Sequence, residues 1–425
     1  LKVEYVEETS VRKALTFEVE PDVVQAEIDK RARELARKVR LPGFRPGKTP
    51  VDVVKKRFHS EIVGEAAEAI VNKIVFDELE GRGLHPLAPP KVEEVKLEEG
   101  QPMTFKAVFE TLPLVELPDW KGLEVTVRGP SVADEDVERE LDRLRDERAR
   151  YDPVEEDRET QAGDYVLLDL AWKPLDGGKG GHDENALIEI GGEGNHADMN
   201  KGLEALRTGE AKDIDVAWGE DASPQVAGKT VRYSVKLKGI KKKVVPSADD
   251  DFAKDLGDFE TVDQLRQKLR DQMLRAEERR VDRETKAGLV EALVARGGFE
   301  VPEALVERHM SARTENLVRG LAYQGIDPRH VGVDWRQYRE STRDDSVRAA
   351  RADILLDEIA RREGIQVLDS EVEAEIGRIA ERAGRSREAV RAQIAKEGEL
   401  GALAARIREE KTLDLLKANA TIELT

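Results

Sequence analysis

The chain has 425 residues, no cysteine, 37% charged residues and a formal net charge of −19. That length exceeds one ordinary core and implies two to four domains. Without cysteine there are no disulfides, thiolate metal sites or cysteine nucleophiles, which suits a reducing cytosol. The acidic balance speaks against nucleic-acid binding by the whole surface.

No stretch reaches the roughly 18 apolar residues of a membrane span. Leu1-Lys2-Val3-Glu4 lacks the apolar core of a signal peptide. Aromatic residues make up 4%, and no phenylalanine lies between Phe109 and Phe252.

Alternation through Val11, Leu15, Phe17 and Val19 predicts strands over residues 1 to about 20. Pro21 opens a helix whose stripe is Val24, Ile28, Ala32, Leu35 and Val39. Lys30, Arg31, Arg33, Arg37, Lys38 and Arg40 lie mostly off that stripe. Leu41 to Pro50 is a shaped turn, because prolines restrict the backbone around Gly43-Phe44-Arg45. Beyond it come Lys55, Lys56 and Arg57, on a helical segment that runs from Val53 through Phe58, Ile62 and Ile74 to Leu79. Two strands, around Val92–Leu97 and Phe105–Phe109, complete an α+β domain.

Residues 112–118 form an extended connector, followed by a short strand at Leu123, Val125 and Val127. Asp134 to Arg150 reads as a charged helix spanning between domains, with Val137, Leu141 and Leu144 on its narrow apolar side. From Gly163 the chain becomes a glycine-dense β domain. It has strands at Tyr165–Trp172, Leu187–Ile190 and Val231–Ile240 and one helical turn at Asn200–Leu206. Lys241-Lys242-Lys243 and Pro246 mark its exit. Everything from Thr261 reads as helix, opened by a capping box, Thr261 to Gln264. Further helices start at Pro302, Trp335 (running to Arg362), Ser370, Ser386 and Glu399.

Gly43-Phe44-Arg45-Pro46-Gly47-Lys48-Thr49-Pro50 resembles the ribosome-binding signature of the trigger factor family, Gly-Phe-Arg-x-Gly-Lys-x-Pro, at every fixed position. The likeness extends along the whole chain. Gly163 to Ile240 is similar to the family's FKBP-like prolyl isomerase domain. Asp249 to Ala253 and Pro302 to Val306 resemble segments of its C-terminal helical domain.

The resemblance implies a multidomain α+β protein. Residues 1–111 would be an α+β ribosome-binding domain, and 112–150 a linker running along the C-terminal domain. Residues 158–243 would be the FKBP-like β domain, and 246–425 an elongated all-α chaperone domain. The isomerase would stand at the far end, with the helical domain between the other two.

The implied activity is ATP-independent chaperoning of nascent polypeptides at the ribosomal peptide exit, in the cytoplasm. The implied partners are the large ribosomal subunit, through protein and rRNA, and unfolded chains, with no membrane. The protein would be a monomer on the ribosome and self-associate weakly when free. Gly43, Phe44, Arg45, Gly47 and Lys48 would bind the ribosome, supported by Arg37, Lys38 and Arg40. Arg45 and Lys48 suit phosphate or carboxylate, and Phe44 suits an apolar notch.

FKBP-type isomerases hold a twisted prolyl peptide in an aromatic-walled pocket and need no acid, base or nucleophile. By position, this pocket would comprise Leu170, Met199, Leu203, Trp218 and Tyr233. Leu170 and Leu203 stand where aromatics are expected, Ala222 falls near the place of a loop tyrosine, and the flap is Gly177 to His182 without phenylalanine. Weak or absent isomerase activity follows. The same five side chains also fit an ordinary β-domain core.

No cofactor or metal is expected. The six histidines have no ligand spacing. Gly191-Gly192-Glu193-Gly194 lacks a following P-loop lysine. Asp249-Asp250-Asp251 reads as a helix start or linker charge run. Two rival readings are a prolyl isomerase acting mainly as a free folding enzyme, and a ribosomal RNA-binding factor using residues 30–57. A depleted pocket weakens the first; the lack of stacking aromatics beyond Phe44 weakens the second.

Overall fold

Alternating apolar residues at the start of the chain build a sheet. In the computed structural model, which describes residues 1–39, 41, 42, 44, 49–98, 100–219, 222 and 226–425, β1 (Lys2–Glu7) and β2 (Arg12–Val19) pair antiparallel. Helices α1 (Pro21–Lys38), α2 (Val51–Arg57) and α3 (His59–Gly81) follow, then β3 (Lys91–Lys96) and β4 (Met103–Glu110). The sheet order is β1-β2-β4-β3. Its inner face puts Leu15, Phe17, Met103 and Phe105 against Ile70, Val75 and Leu79 of α3, and Phe17 stacks on Phe105 at 4.7 Å.

One continuous helix was expected from Val53 to Leu79; instead Phe58 (φ −117°, ψ 29°) divides α2 from α3. The break turns Phe58 into a second small core with Ala32, Ala36, Val54 and Ile62. That core ties together the helix ends joined by the 41–50 loop.

The described residues form two compact units, 1–128 with 282–425, and 129–281. The first unit also contains β5 (Glu124–Val127). The second begins with α4 (Asp134–Glu147), β6 (Arg150–Pro153), β7 (Tyr165–Pro174) and β8 (Gly181–Glu189). It continues with α5 (Ala197–Leu203), β9 (Ala211–Ala217), β10 (Thr230–Val244) and α6 (Asp250–Leu256), and runs into α7 (Val262–Arg296).

Strand β10 organises this unit. It pairs with β7 along one edge, and with both β9 and β6 along the other. Three expectations change here. The charged helix stops at Glu147, and residues 150–153 are a strand. Lys241 to Lys243 are not an exit run but the end of β10, in register with Tyr151 to Pro153. Strand β9 shows only Ile214 and Val216 as buried alternating positions, too short a pattern to read without a partner.

Of the two readings of Asp249-Asp250-Asp251, helix start or linker charge run, the structure has the first: α6 begins at Asp250. Asp249 caps it, accepting from the Phe252 amide at 3.0 Å, and Phe252 and Ala253 pack against Val137, Leu141 and Leu265. At the start of α7, Thr261 Oγ1 accepts from Gln264 N at 3.3 Å, while the Gln264 side chain accepts from Glu260 N at 2.7 Å. The expected capping box is therefore one residue wider than its usual form.

The first unit resumes with α8 (Glu303–Tyr323), α9 (Trp335–Ser341), α10 (Arg343–Arg362), α11 (Asp369–Ala383), α12 (Arg387–Glu397), α13 (Leu400–Ala418) and β11 (Thr421–Leu424). The helix expected from Trp335 to Arg362 is interrupted at Thr342. There Ser341 Oγ donates to Tyr338 O at 2.7 Å and Thr342 Oγ1 to Arg339 O at 2.8 Å. Such back-bonding bends helices.

Helix α11 starts earlier than Ser370: Glu371 accepts from the Leu368 amide at 2.8 Å. Strand β11, also unforeseen, runs parallel to β5. Trp120 and Leu123 share a core with Leu289, Leu293, Leu355, Ile359 and Leu416. The chain from 112 to 128 is thus built into the helices of 282–425.

Candidate functional site

Three surfaces are candidates for the functional site. The first is the tip between α1 and α2. Leu41 and Thr49 are buried at its base, and Phe44 N donates to Leu41 O at 3.2 Å. Phe44 itself is 39% exposed, an aromatic facing outward from a closed turn. Gly43, Arg45, Gly47, Lys48 and Arg40 lie outside the described residues.

Charge around the tip is sorted by position. Lys30 and Arg31 pair with Glu27, and Lys55 pairs with Asp29, holding that carboxyl below its ordinary range. Arg37 and Lys38, in the last turn of α1, and Lys56 and Arg57, in the last turn of α2, are exposed. Cations at helix C-termini are favoured by the helix dipole and remain available to an outside anion.

The second surface is the inner face of the sheet in the 129–281 unit. All five expected pocket residues come together there. Met199 and Leu203 are buried within the cluster, while Leu170, Trp218 and Tyr233 pack against it partly exposed. Trp218 also meets the His196 ring at 5.2 Å.

Helix α5 reaches the sheet closely because residue 202 is glycine: a Cβ there would stand 2.6 Å from Ile214 Cδ1. The expected flap begins as a turn with Gly177 and Gly178 at positive φ. Ala222, near the place of the expected loop tyrosine, is partly buried. Trp172 lies on the same inner face and was not foreseen as a site residue. Its alternation with Leu168 and Leu170 was the available signal.

The third surface was not legible beforehand. Within the first unit, a cleft of about 1170 Å³ is lined by Leu112 to Val115, α8, α10 and α13. Leu112 and Leu114 at its margin are exposed. Leu305, Ile354 and Leu356 supply apolar wall, and Arg308, Glu358, Arg406 and Glu409 supply charge.

Glu358 is held at about 2 by hydrogen bonds from Arg361 and then Arg362. Glu409 moves the other way: burial, then Asp353 and Glu410, push it up against the opposing pull of Arg406 and His309. The cleft walls are thus mixed, apolar and charged. Among the described residues, no helix is long and apolar enough to cross a membrane.

Comparison with known proteins bears on the chain as a whole. Residues 1–144 match the family described as bacterial trigger factor protein, and residues 261–418 match the bacterial trigger factor protein C-terminus. The trigger factor of Anaeromyxobacter dehalogenans (strain 2CP-C) is 36% identical over 435 aligned positions, covering 100% of both chains. That of Solibacter usitatus (strain Ellin6076) is 32% identical over 405, covering 94% of this chain and 95% of its own.

A solved structure of the trigger factor chaperone matches with a TM-score of 0.54 and 22% identity. It covers 98% of this chain and 99% of that one, and supports the fold. With the mixed helix-and-sheet architecture and a helical C-terminal region, these matches settle the assignment. The chain belongs to the bacterial trigger factor family of ribosome-associated chaperones.

Proposed function

We propose that the protein is an ATP-independent, cytoplasmic holdase for nascent polypeptide. It docks on the large ribosomal subunit through the 41–50 loop and holds non-native chain on the cleft of the 1–128/282–425 unit. The observation that carries this reading is the complete Gly43 to Pro50 signature, placed between two helices whose last turns are basic, with Phe44 exposed. Phe44 fills an apolar notch, Arg45 and Lys48 meet phosphate or carboxylate, and Arg37, Lys38 and Arg40 add longer-range attraction.

The proposed division of labour follows the expected boundaries: 1–111 for docking, 112–150 as linker, 158–243 as an FKBP-like domain and 246–425 for chaperoning. Burial of Trp120 and Leu123 among the C-terminal helices supports the linker's course. The isomerase activity is weak, because Met199 and Leu203 are spent as core and aliphatic side chains stand where aromatic walls belong.

Ribosome cosedimentation of the full chain tests the docking. A Phe44/Arg45/Lys48→Ala triple variant is expected to lose roughly a hundredfold in affinity, the scale of a few anchor contacts. Wild-type binding by that variant overturns the assignment.

A further inference from the structure

Burial along the inner face of the 129–281 sheet is uneven, and its open part is aromatic. Val166, Leu168, Val235 and Leu237 are at most 1% exposed. Towards the β7–β10 end that holds Trp172 and Tyr233, burial falls off: Leu170, Trp172 and Tyr233 are only partly buried. One cross-strand row runs Gly181, Trp172, Tyr233 and Ile214 over β8, β7, β10 and β9. Directly opposed residues in antiparallel ladders share a face, so Trp172 and Tyr233 are neighbours there. Leu170 lies one step along the strand from Trp172 on the same face, opposite Val235.

The Trp172 indole rests on the backbone of Gly181. A Cβ at position 181 would stand 2.4 Å from Cζ2, 2.8 Å from Cε2 and 2.9 Å from Cη2 of that ring. Glycine therefore lets the ring lie down towards β8. One aliphatic side chain, Leu170, and two aromatic ones, Trp172 and Tyr233, are partly exposed on adjoining positions of the same face. Such a place suits a saturated ring, whose C–H groups meet the negative faces of the aromatics. In a polypeptide that ring is proline, and its imide nitrogen brings no N–H donor to desolvate without a partner.

We propose that Trp172 is the aromatic wall of the prolyl-binding site in this chain and determines its selectivity for proline, in place of aromatics at positions 170 and 203. The assignment rests on the isomerase reading above. It makes prolyl-peptide binding persist where Leu170 and Leu203 alone would give only an apolar surface. Glycine at 181 belongs to the same device.

The test uses the full chain and the peptide Ala-Leu-Pro-Phe with a C-terminal p-nitroanilide, beside its counterpart with alanine for proline. The indole N–H resonance of Trp172, assigned through Trp172→Phe, is expected to shift with the prolyl peptide and to stay in place with the alanyl one. This arm uses unmutated protein and does not depend on how the variants fold. Trp172→Ala is expected to weaken binding and lower kcat/KM about tenfold, the size of one aromatic contact plus its buried area. Trp172→Phe should recover most of that loss.

If the wild type binds or turns over the prolyl peptide while the Trp172 resonance stays put and Trp172→Ala behaves as wild type, the assignment of Trp172 is overturned. If the wild type neither binds nor turns over the peptide, the isomerase reading itself fails, and this proposal with it.

Discussion

Glu358 and Glu409 line the same cleft, yet their surroundings shift them in opposite directions. Glu358 is depressed by Arg361 and Arg362, so its contribution to stability is present above the unfolded glutamate range near 4.3 and fades as pH falls towards 2. Glu409 is raised by burial and by Asp353 and Glu410, so its ionised form is disfavoured and its cost appears as pH rises. Urea unfolding of Glu358→Gln should show a loss of stability at pH 7 that shrinks at pH 3. Equal effects at both pH values would contradict that environment. The shift of Glu409 was not legible in the sequence, because its determining neighbours lie on α8 and α10 as well as its own helix. Phe44 was legible, since the prolines and glycines that shape its turn are its immediate neighbours.

At the scale of elements, one glycine reverses a common rule. Gly288 lies inside α7, where alanine would normally add about 1 kcal/mol of helix propensity. Here a Cβ would stand 2.5 Å from Cγ2 of Val125 on β5, a short branched side chain with little room to yield. Overpacking costs typically about 1–3 kcal/mol and outweighs the propensity gain. Gly288→Ala is therefore expected to lower the midpoint of urea unfolding, and the Gly288→Ala/Val125→Ala pair to recover part of it. A stabilised single variant would show that α7 and β5 do not pack this tightly. The long helices and their stripes could be read from periodicity. The breaks at Phe58 and Thr342 could not, because they depend on where a side chain finds a core or a carbonyl.

Over the whole molecule, charge is the governing quantity. Residues 30–57 carry eleven basic side chains and two acidic ones within a chain of net charge −19. Attraction to a polyanion is then concentrated on one stretch, while acidic surface elsewhere disfavours other orientations. Ribosome affinity should fall about tenfold or more between roughly 50 and 200 mM salt, and Arg37→Gln/Lys38→Gln should flatten that dependence without abolishing binding. Salt-independent cosedimentation would show that docking does not use this charge.

The sequence by itself determined the family, the shaped basic stretch at 41–50, the order of α+β, β and helical regions and the five-residue apolar cluster under the sheet. Each is encoded in contiguous residues or in a short period. Tertiary structure decided the rest: β6 and β9 on one edge of β10, β11 beside β5, the cleft walled by Leu112–Val115 with α8, α10 and α13, and the placement of Trp172 over Gly181. Those features join residues far apart in the chain. Their stability comes from pairing and burial that no local pattern records. The 41–50 stretch stands at the opposite limit, for its turn chemistry and its charge are local and can be read before any fold is known.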